Sequence, residues 1–209
     1  MPLVFCVHIE RRMVMIITLA RQCGSNGTLI GRNLSKKYGL PLFDLRSLAK
    51  AAKAEALVER FPEFFAERPM NILISAITLS AVPESVKDLA ENILTELLPE
   101  DNFILIGRCG NFVYGDRPEC VRIFLCGAFE TRVKELMGRY NISESVAENK
   151  VREADENRLA YHRYFTGTTW GQADQYDLTL NSCRLGVEGT EKIIEQYINT
   201  VFAGKETGK

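Results

Sequence analysis

A chain of 209 residues with 46% hydrophobic and 25% charged residues has the composition of one well-buried globular domain, with room for a small inserted subdomain. Its 26 basic and 27 acidic residues leave a net charge of −1, so no overall basic field gathers nucleic acid and no polybasic run holds a membrane surface. Six cysteines without a Cys-x-x-Cys pair, accompanied by two histidines, argue against a zinc site and for reduced thiols in a cytoplasmic protein.

Residues 3–9 are apolar but short, carry His8 and run into Glu10, Arg11 and Arg12, so they read neither as a signal peptide nor as a membrane span. The first strand begins beside Met13 and Met15, either of which is a candidate start. Residues 1–14 are therefore expected to be an extension outside the core, residues 15–202 a single domain, and residues 203–209 a frayed tail.

The run Ile16, Ile17, Thr18, Leu19, Ala20 predicts a strand, and Cys23-Gly24-Ser25-Asn26-Gly27-Thr28 a tight turn into an amphipathic helix. Ile30, Leu34 and Tyr38 give that helix one apolar face, and Gly31 permits close approach to the strand. Gly and Asn allow positive φ, so the loop N–H groups and the positive end of the helix dipole converge on one spot, as α/β proteins hold phosphate. Laid on the phosphate loop of nucleotide kinases, the turn puts Gly27 at the lysine position and Leu29 at the hydroxyl position. The Gly-x-x-x-x-Gly-Lys-Ser/Thr signature is thus absent, leaving a backbone cradle without its point charge. A plain strand-to-helix turn would show the same residues.

Residues 40–43 predict a short second strand ending at Asp44. Residues 45–98 lack strand signals and, broken at Pro62, Pro69 and Pro83, read as several helices, the last over 84–98. Phe103-Ile104-Leu105-Ile106 is a continuous apolar run of central-strand type followed by Gly107-Arg108, and 121–126 is another, preceding a helix over 129–140. A long polar helix is expected over 143–164, opened by Ser145 and Glu148, then a loop over 166–175 holding Trp170, a strand over 176–181 and a closing helix over 187–202. Alternating strands and helices imply a parallel sheet covered on both faces.

Such sheets bind ligands beyond the carboxyl ends of their strands. There the sequence places Arg21 with the loop of residues 24–28, Asp44 with Arg46, and Arg108, a set that suits a polyanion, although each alone also suits a surface salt bridge. On the long helix Arg152, Asp155, Arg158 and His162 share one face, with Arg132, Arg139 and Arg163 close in sequence. This cluster fits either a solvated helix laced with ion pairs or a mobile arginine-bearing lid. A single histidine there reads as packed or solvated rather than as a base.

The ordered series Ile17-Thr18-Leu19-Ala20-Arg21, Gly24-Ser25-Asn26-Gly27, Ile30-Gly31, Leu42-Phe43-Asp44, Gly107-Arg108-Cys109, Arg117-Pro118, Asp155-x-x-Arg158, Tyr164-x-x-Gly167, Trp170-Gly171 and Tyr176-Asp177 resembles the cytidylate kinase-like family. The resemblance implies a three-layer α/β/α fold of P-loop nucleoside monophosphate kinase type. That fold has a parallel sheet of about five strands, a helical acceptor-side insertion near residues 45–98 and a lid near 139–172. It implies phosphoryl transfer from a nucleoside triphosphate to a nucleoside monophosphate or similar small phosphorylated acceptor, with Mg2+ carried on ATP and no dedicated protein metal site.

Carried over by position, Gly24, Ser25, Asn26, Gly27 and Thr28, with Arg21, would hold the donor phosphates. Lys50 falls where cytidylate kinases keep an acceptor-phosphate arginine, with Arg46 nearby, and Arg108 falls on the arginine of their Gly-Arg-Asp motif. Asp155 and Arg158 fall on a pair that contacts the acceptor, and Arg132 and Arg139 on lid-side arginines. Asp44 is the candidate to orient the acceptor or magnesium-bound water. Two departures stand out: Cys109 replaces the aspartate of Gly-Arg-Asp, and Thr28 stands where this family commonly shows arginine. A nucleotide-binding protein with weak or no catalysis that keeps the kinase fold is the alternative.

Overall fold

The computed structural model describes residues 14–51, 54–66 and 84–203. Strand β1 (Ile16–Arg21) lies at the centre because every side chain from Ile16 to Ala20 is buried. It pairs in parallel with β3 (Phe103–Ile106) on one side, Ile16 opposite Phe103, and with β4 (Cys120–Cys126) on the other, Ile16 opposite Cys120. β2 (Leu42–Phe43) and β5 (Leu178–Asn181) form the edges, giving the all-parallel order β2-β3-β1-β4-β5. The order reverses at β1, so the crevice beyond its carboxyl end is where this topology binds ligands.

Side chains alternate across the sheet and enter two cores. Ile16, Phe103 and Leu105 join Leu57, Phe64, Ile93, Leu94 and Phe165. These come from α3 (Ala54–Arg60), α4 (Pro62–Phe65), α5 (Glu84–Leu97) and α8 (Glu144–Thr166). Ile17, Leu19, Ile104, Ile106, Ile123 and Leu125 pack on the opposite face against Ile30 and Leu34 of α1 (Gly27–Tyr38) and Ile194, Ile198 and Phe202 of α9 (Ser182–Ala203). The result is the expected three-layer α/β/α fold with five parallel strands. Gly31 has the predicted use, since a Cβ there would lie 2.9 Å from Ile106 Cδ1. The remaining elements are α2 (Leu45–Lys50), α6 (Gly110–Val113), α7 (Phe129–Tyr140) and a single 3-10 turn (Ala173–Gln175).

Several boundaries differ from the sequence reading. The long helix is preceded by Ser143 in extended conformation, so Ser145 lies inside the helix rather than capping it. The helix also continues through Phe165 to Thr166, where its last turn carries side chains buried in the core. The closing helix begins five residues early as a short turn bent at Gly186 (φ 69°), a glycine that separates it from the main rod. The last strand starts at Leu178 because Asp177 is held at its entry, taking Arg122 N at 2.7 Å and the Arg122 guanidinium at 2.8 Å. The expectations for residues 1–13, for residues 204–209 and for part of the 45–98 insertion lie outside the described residues.

Candidate active site

The turn after β1 is built as a cradle. Asn26 adopts φ 59° and Gly24 φ 82°, and α1 starts at Gly27, so the turn reverses within the residues that the sequence marked. Among the described residues no acceptor meets the N–H groups of Gly24, Asn26, Gly27 or Thr28, while the rest of the loop is firmly tied. Cys23 N–H donates to Asp155 Oδ1 at 2.7 Å, Arg132 Nη1 donates to Cys23 O at 3.0 Å, and Ser182 Oγ donates to Ser25 O at 2.7 Å. Gly127 N–H donates to Gln22 Oε1 at 3.0 Å, and Arg139 reaches Asn26 Oδ1 from the exposed side. A loop fixed from behind with free amides in front is preorganised for an anion.

The hydroxyl position of the phosphate-loop signature falls on Thr28 and not on Leu29, because it is the residue next to the lysine position, Gly27. Leu29 is 44% exposed on the outer face of α1 and belongs to neither role.

Beside the cradle lies a cleft of about 130 Å3 whose lining includes Arg21, Arg108, Asn111, Asn157, Arg158, Tyr161, His162 and Trp170. Arg21 ends β1, and among the described residues no hydrogen bond or ion pair engages its guanidinium. Burial, reinforced by the charges of Arg158 and Arg108, pushes its pKa down to about 9, which leaves it charged at neutral pH. Arg158 Nη1 donates to Arg21 O at 3.0 Å and lies 3.5 Å from Asp155.

Arg108 stands in a turn of three consecutive left-handed residues, Gly107, Arg108 and Cys109, with φ of 78°, 53° and 58°. Two non-glycine residues in this region cost about 1 kcal/mol or more each, and such backbone concentrates at functional sites. The Arg108 guanidinium lies 4.2 Å over the Tyr161 ring and donates from Nη1 to Phe64 O at 2.5 Å and Ala66 O at 3.0 Å. Cys109, at the aspartate position of Gly-Arg-Asp, is buried, and burial drives its thiol up to about 12, so it presents a neutral, weakly polar group.

The remaining predicted residues occupy distinct places. Arg132 is 5% exposed and bonds Gly127 O at 3.0 Å as well as Cys23 O and Asp155, so it braces the loop. Arg139 is exposed at the outer rim, 3.0 Å from Glu135. Asp44 caps α2, accepting Ser47 N–H at 2.9 Å, and its charge acts on Arg21. Arg46 and Lys50 are exposed on α2 and outside the cleft lining.

Arg152, from the predicted helix-face cluster, stacks at 4.2 Å on Phe129. His162 is 3% exposed and, through burial, is pushed down to about 4; its Nε2 meets Thr168 Oγ1 at 3.0 Å. Asn111, Asn157 and Tyr161 were missed as cleft residues. Asn157 and Tyr161 stand one residue before Arg158 and His162 on α8, and that stripe was the available signal.

Among the described residues no group of three or more His, Cys, Asp or Glu side chains is arranged to hold a metal, and no helix is long and apolar enough to cross a membrane. The chain is 24% identical over 187 residues, 87% of its length and 91% of the relative's, to a cytidylate kinase of Desulfurococcus amylolyticus. It is 23% identical over 123 residues, 59% of its length and 60% of the relative's, to a cytidylate kinase of Natronomonas pharaonis.

Among solved structures, an uncharacterized protein of Eubacterium ventriosum matches with a TM-score of 0.67 at 25% identity, covering 89% of this chain and 98% of that one. A shikimate kinase of Bacteroides thetaiotaomicron shares the fold, with a TM-score of 0.52 at 14% identity over 89% of this chain and 99% of that one. Residues 16–184 match the cytidylate kinase-like family, spanning β1 through the first turn of α9, and the chain belongs to that family.

Proposed function

We propose that the protein is an ATP-dependent phosphotransferase that moves a phosphoryl group to a nucleoside monophosphate or similar small phosphorylated acceptor. The observation that carries this reading is the convergence of Arg21, Arg108 and Arg158 on one cleft beside a loop with unengaged amides. Three cations around one cleft, with a carboxylate already shared between Arg132 and Arg158, suit a ligand bearing several negative charges.

In this reading the loop amides and the α1 dipole hold the donor phosphates, and the Thr28 hydroxyl is the side-chain ligand offered to a divalent ion carried on them. Such an ion would supply positive charge against the charge that develops on the phosphates. Arg21 and Arg108 face the transferring group, and Arg158, fixed to Arg21 O, orients the acceptor side. Phosphoryl transfer depends mainly on positioning and charge stabilisation, so no strong base is required. A lost loop lysine removes a charge-assisted bond worth roughly 1.5–3 kcal/mol, whereas an arginine directed at the transferring phosphoryl contributes about a thousandfold or more in rate.

Release of ADP from Mg-ATP across a panel of nucleoside monophosphates tests the reading. Turnover with at least one acceptor supports it. Binding of ATP without transfer to any acceptor supports the second reading, a nucleotide-binding protein without catalysis. That second reading draws on Arg132 serving as a buried brace and on Gly27 standing in place of the lysine.

A further inference from the structure

Arg21 and Gly27 occupy the first and seventh positions of the phosphate-loop signature, where a glycine and the lysine normally stand. Here the two are exchanged. A Cβ on Gly27 would lie 2.7 Å from Arg21 Cγ and 2.9 Å from Arg21 Cβ, so the arginine stem passes over the glycine where a side chain would otherwise begin. At the far end, a Cβ on Gly107 would lie 2.6 Å from Arg21 Nη1, so a second glycine clears the space for the guanidinium. The stem is thus seated against one glycine and the head against another. The head lines the cleft with Arg108 and Arg158.

We infer that Arg21 supplies from the first loop position the charge that a phosphate loop normally supplies from its seventh, and that Gly27 is small because the Arg21 side chain takes its place. The inference rests on reading the loop as a phosphate cradle, and it assigns the ligand as the terminal phosphates of a polyphosphate chain. A guanidinium with no hydrogen-bond or ion-pair partner among the described residues, in a cleft shared with two other arginines, favours an anion, and the neighbouring loop amides match phosphate oxygens. A guanidinium also offers a planar fork where an ammonium offers a point charge, so lysine at position 27 is not a restoration while Arg21 remains.

The test is a double-mutant cycle read by calorimetric binding of Mg-ATP and of inorganic tripolyphosphate, with circular dichroism melting of each variant. Arg21→Gly removes the charge, and Gly27→Lys places a new side chain against the Arg21 stem. Each is expected to weaken tripolyphosphate binding by roughly ten- to a hundredfold. The double variant, which rebuilds the usual order, is expected to recover most of that loss. Arg21→Gln, which keeps a polar side chain over Gly27, is expected to melt like the wild type and bind at least about tenfold more weakly.

Additive losses in the double variant, or wild-type affinity in Arg21→Gln, would overturn the inference. Recovery in the cycle by a protein that phosphorylates no acceptor supports it while removing the kinase reading. Undiminished transfer by Arg21→Gln overturns it and leaves the kinase reading intact.

Discussion

Asp155 of α8 and Arg132 of α7 meet at 2.6 Å, and the same carboxylate takes the Cys23 N–H at 2.7 Å, so one ion pair joins two helices to the loop. Both side chains are largely buried, and neither the loop nor α8 holds its position independently of the other. Asp155→Ala leaves the Arg132 charge without its partner, and a destabilisation of about 2–4 kcal/mol is expected in urea unfolding. Asp155→Asn keeps an acceptor for Cys23 N–H and should cost less. Equal stability of Asp155→Ala and the wild type would remove the brace.

Gly24 and Gly138 form a matched contrast. A Cβ on Gly24 would stand 2.6 Å from Arg132 O in a backbone at φ 82°, whereas one on Gly138 meets nothing within 4 Å. Gly24→Ala should lower stability by roughly 1–3 kcal/mol and shift the loop off α7, weakening ATP binding through displacement of the cradle. Gly24→Val should do so more severely. Gly138→Ala, inside α7, should raise stability by about 0.5–1 kcal/mol. Thermal melts of the three variants check the order.

His162 makes stability depend on pH. Its folded pKa is pushed from 6.5 down to about 4 by burial, so between these values the unfolded chain binds the proton and the folded chain does not. Stability from this group is complete above pH 6.5 and falls as pH drops towards 4, by on the order of 3 kcal/mol in total. His162→Gln should flatten the slope over that window in unfolding measured at a series of pH values. An unchanged slope would mean that the imidazole is protonated in the fold.

Arg108 tests the cleft. Its guanidinium stacks on Tyr161 and ties the carbonyls of Phe64 and Ala66 to the turn after β3. Arg108→Ala is expected to cut phosphoryl transfer at least about a hundredfold. Arg108→Lys should recover little, because an ammonium lacks the planar guanidinium that stacks on the Tyr161 ring, and a nitrogen spent on the two carbonyls leaves no second nitrogen to donate to a phosphate. Full activity in Arg108→Ala would leave Arg108 a purely structural tie.

Much of this architecture is local and therefore readable from the chain. Ile16 to Ala20, Thr18 apart, and Phe103 to Ile106 are apolar without alternation, which marks strands buried on both faces, and Ile30, Leu34 and Gly31 mark the helix that covers them. The Gly and Asn residues of the loop announce its positive φ values for the same reason: the conformation is set by the residue's own sterics. Strand order and the meeting of distant side chains are not local. That Arg132 is a brace and that Asp155 serves the loop depend on which helix packs on which loop, 132 residues apart for Cys23 and Asp155.

Arg21 shows the division most clearly. By itself the sequence records an arginine and a glycine at two loop positions, and only the folded loop shows the arginine lying over the glycine. That contact follows from the turn bringing the end of β1 back against the start of α1.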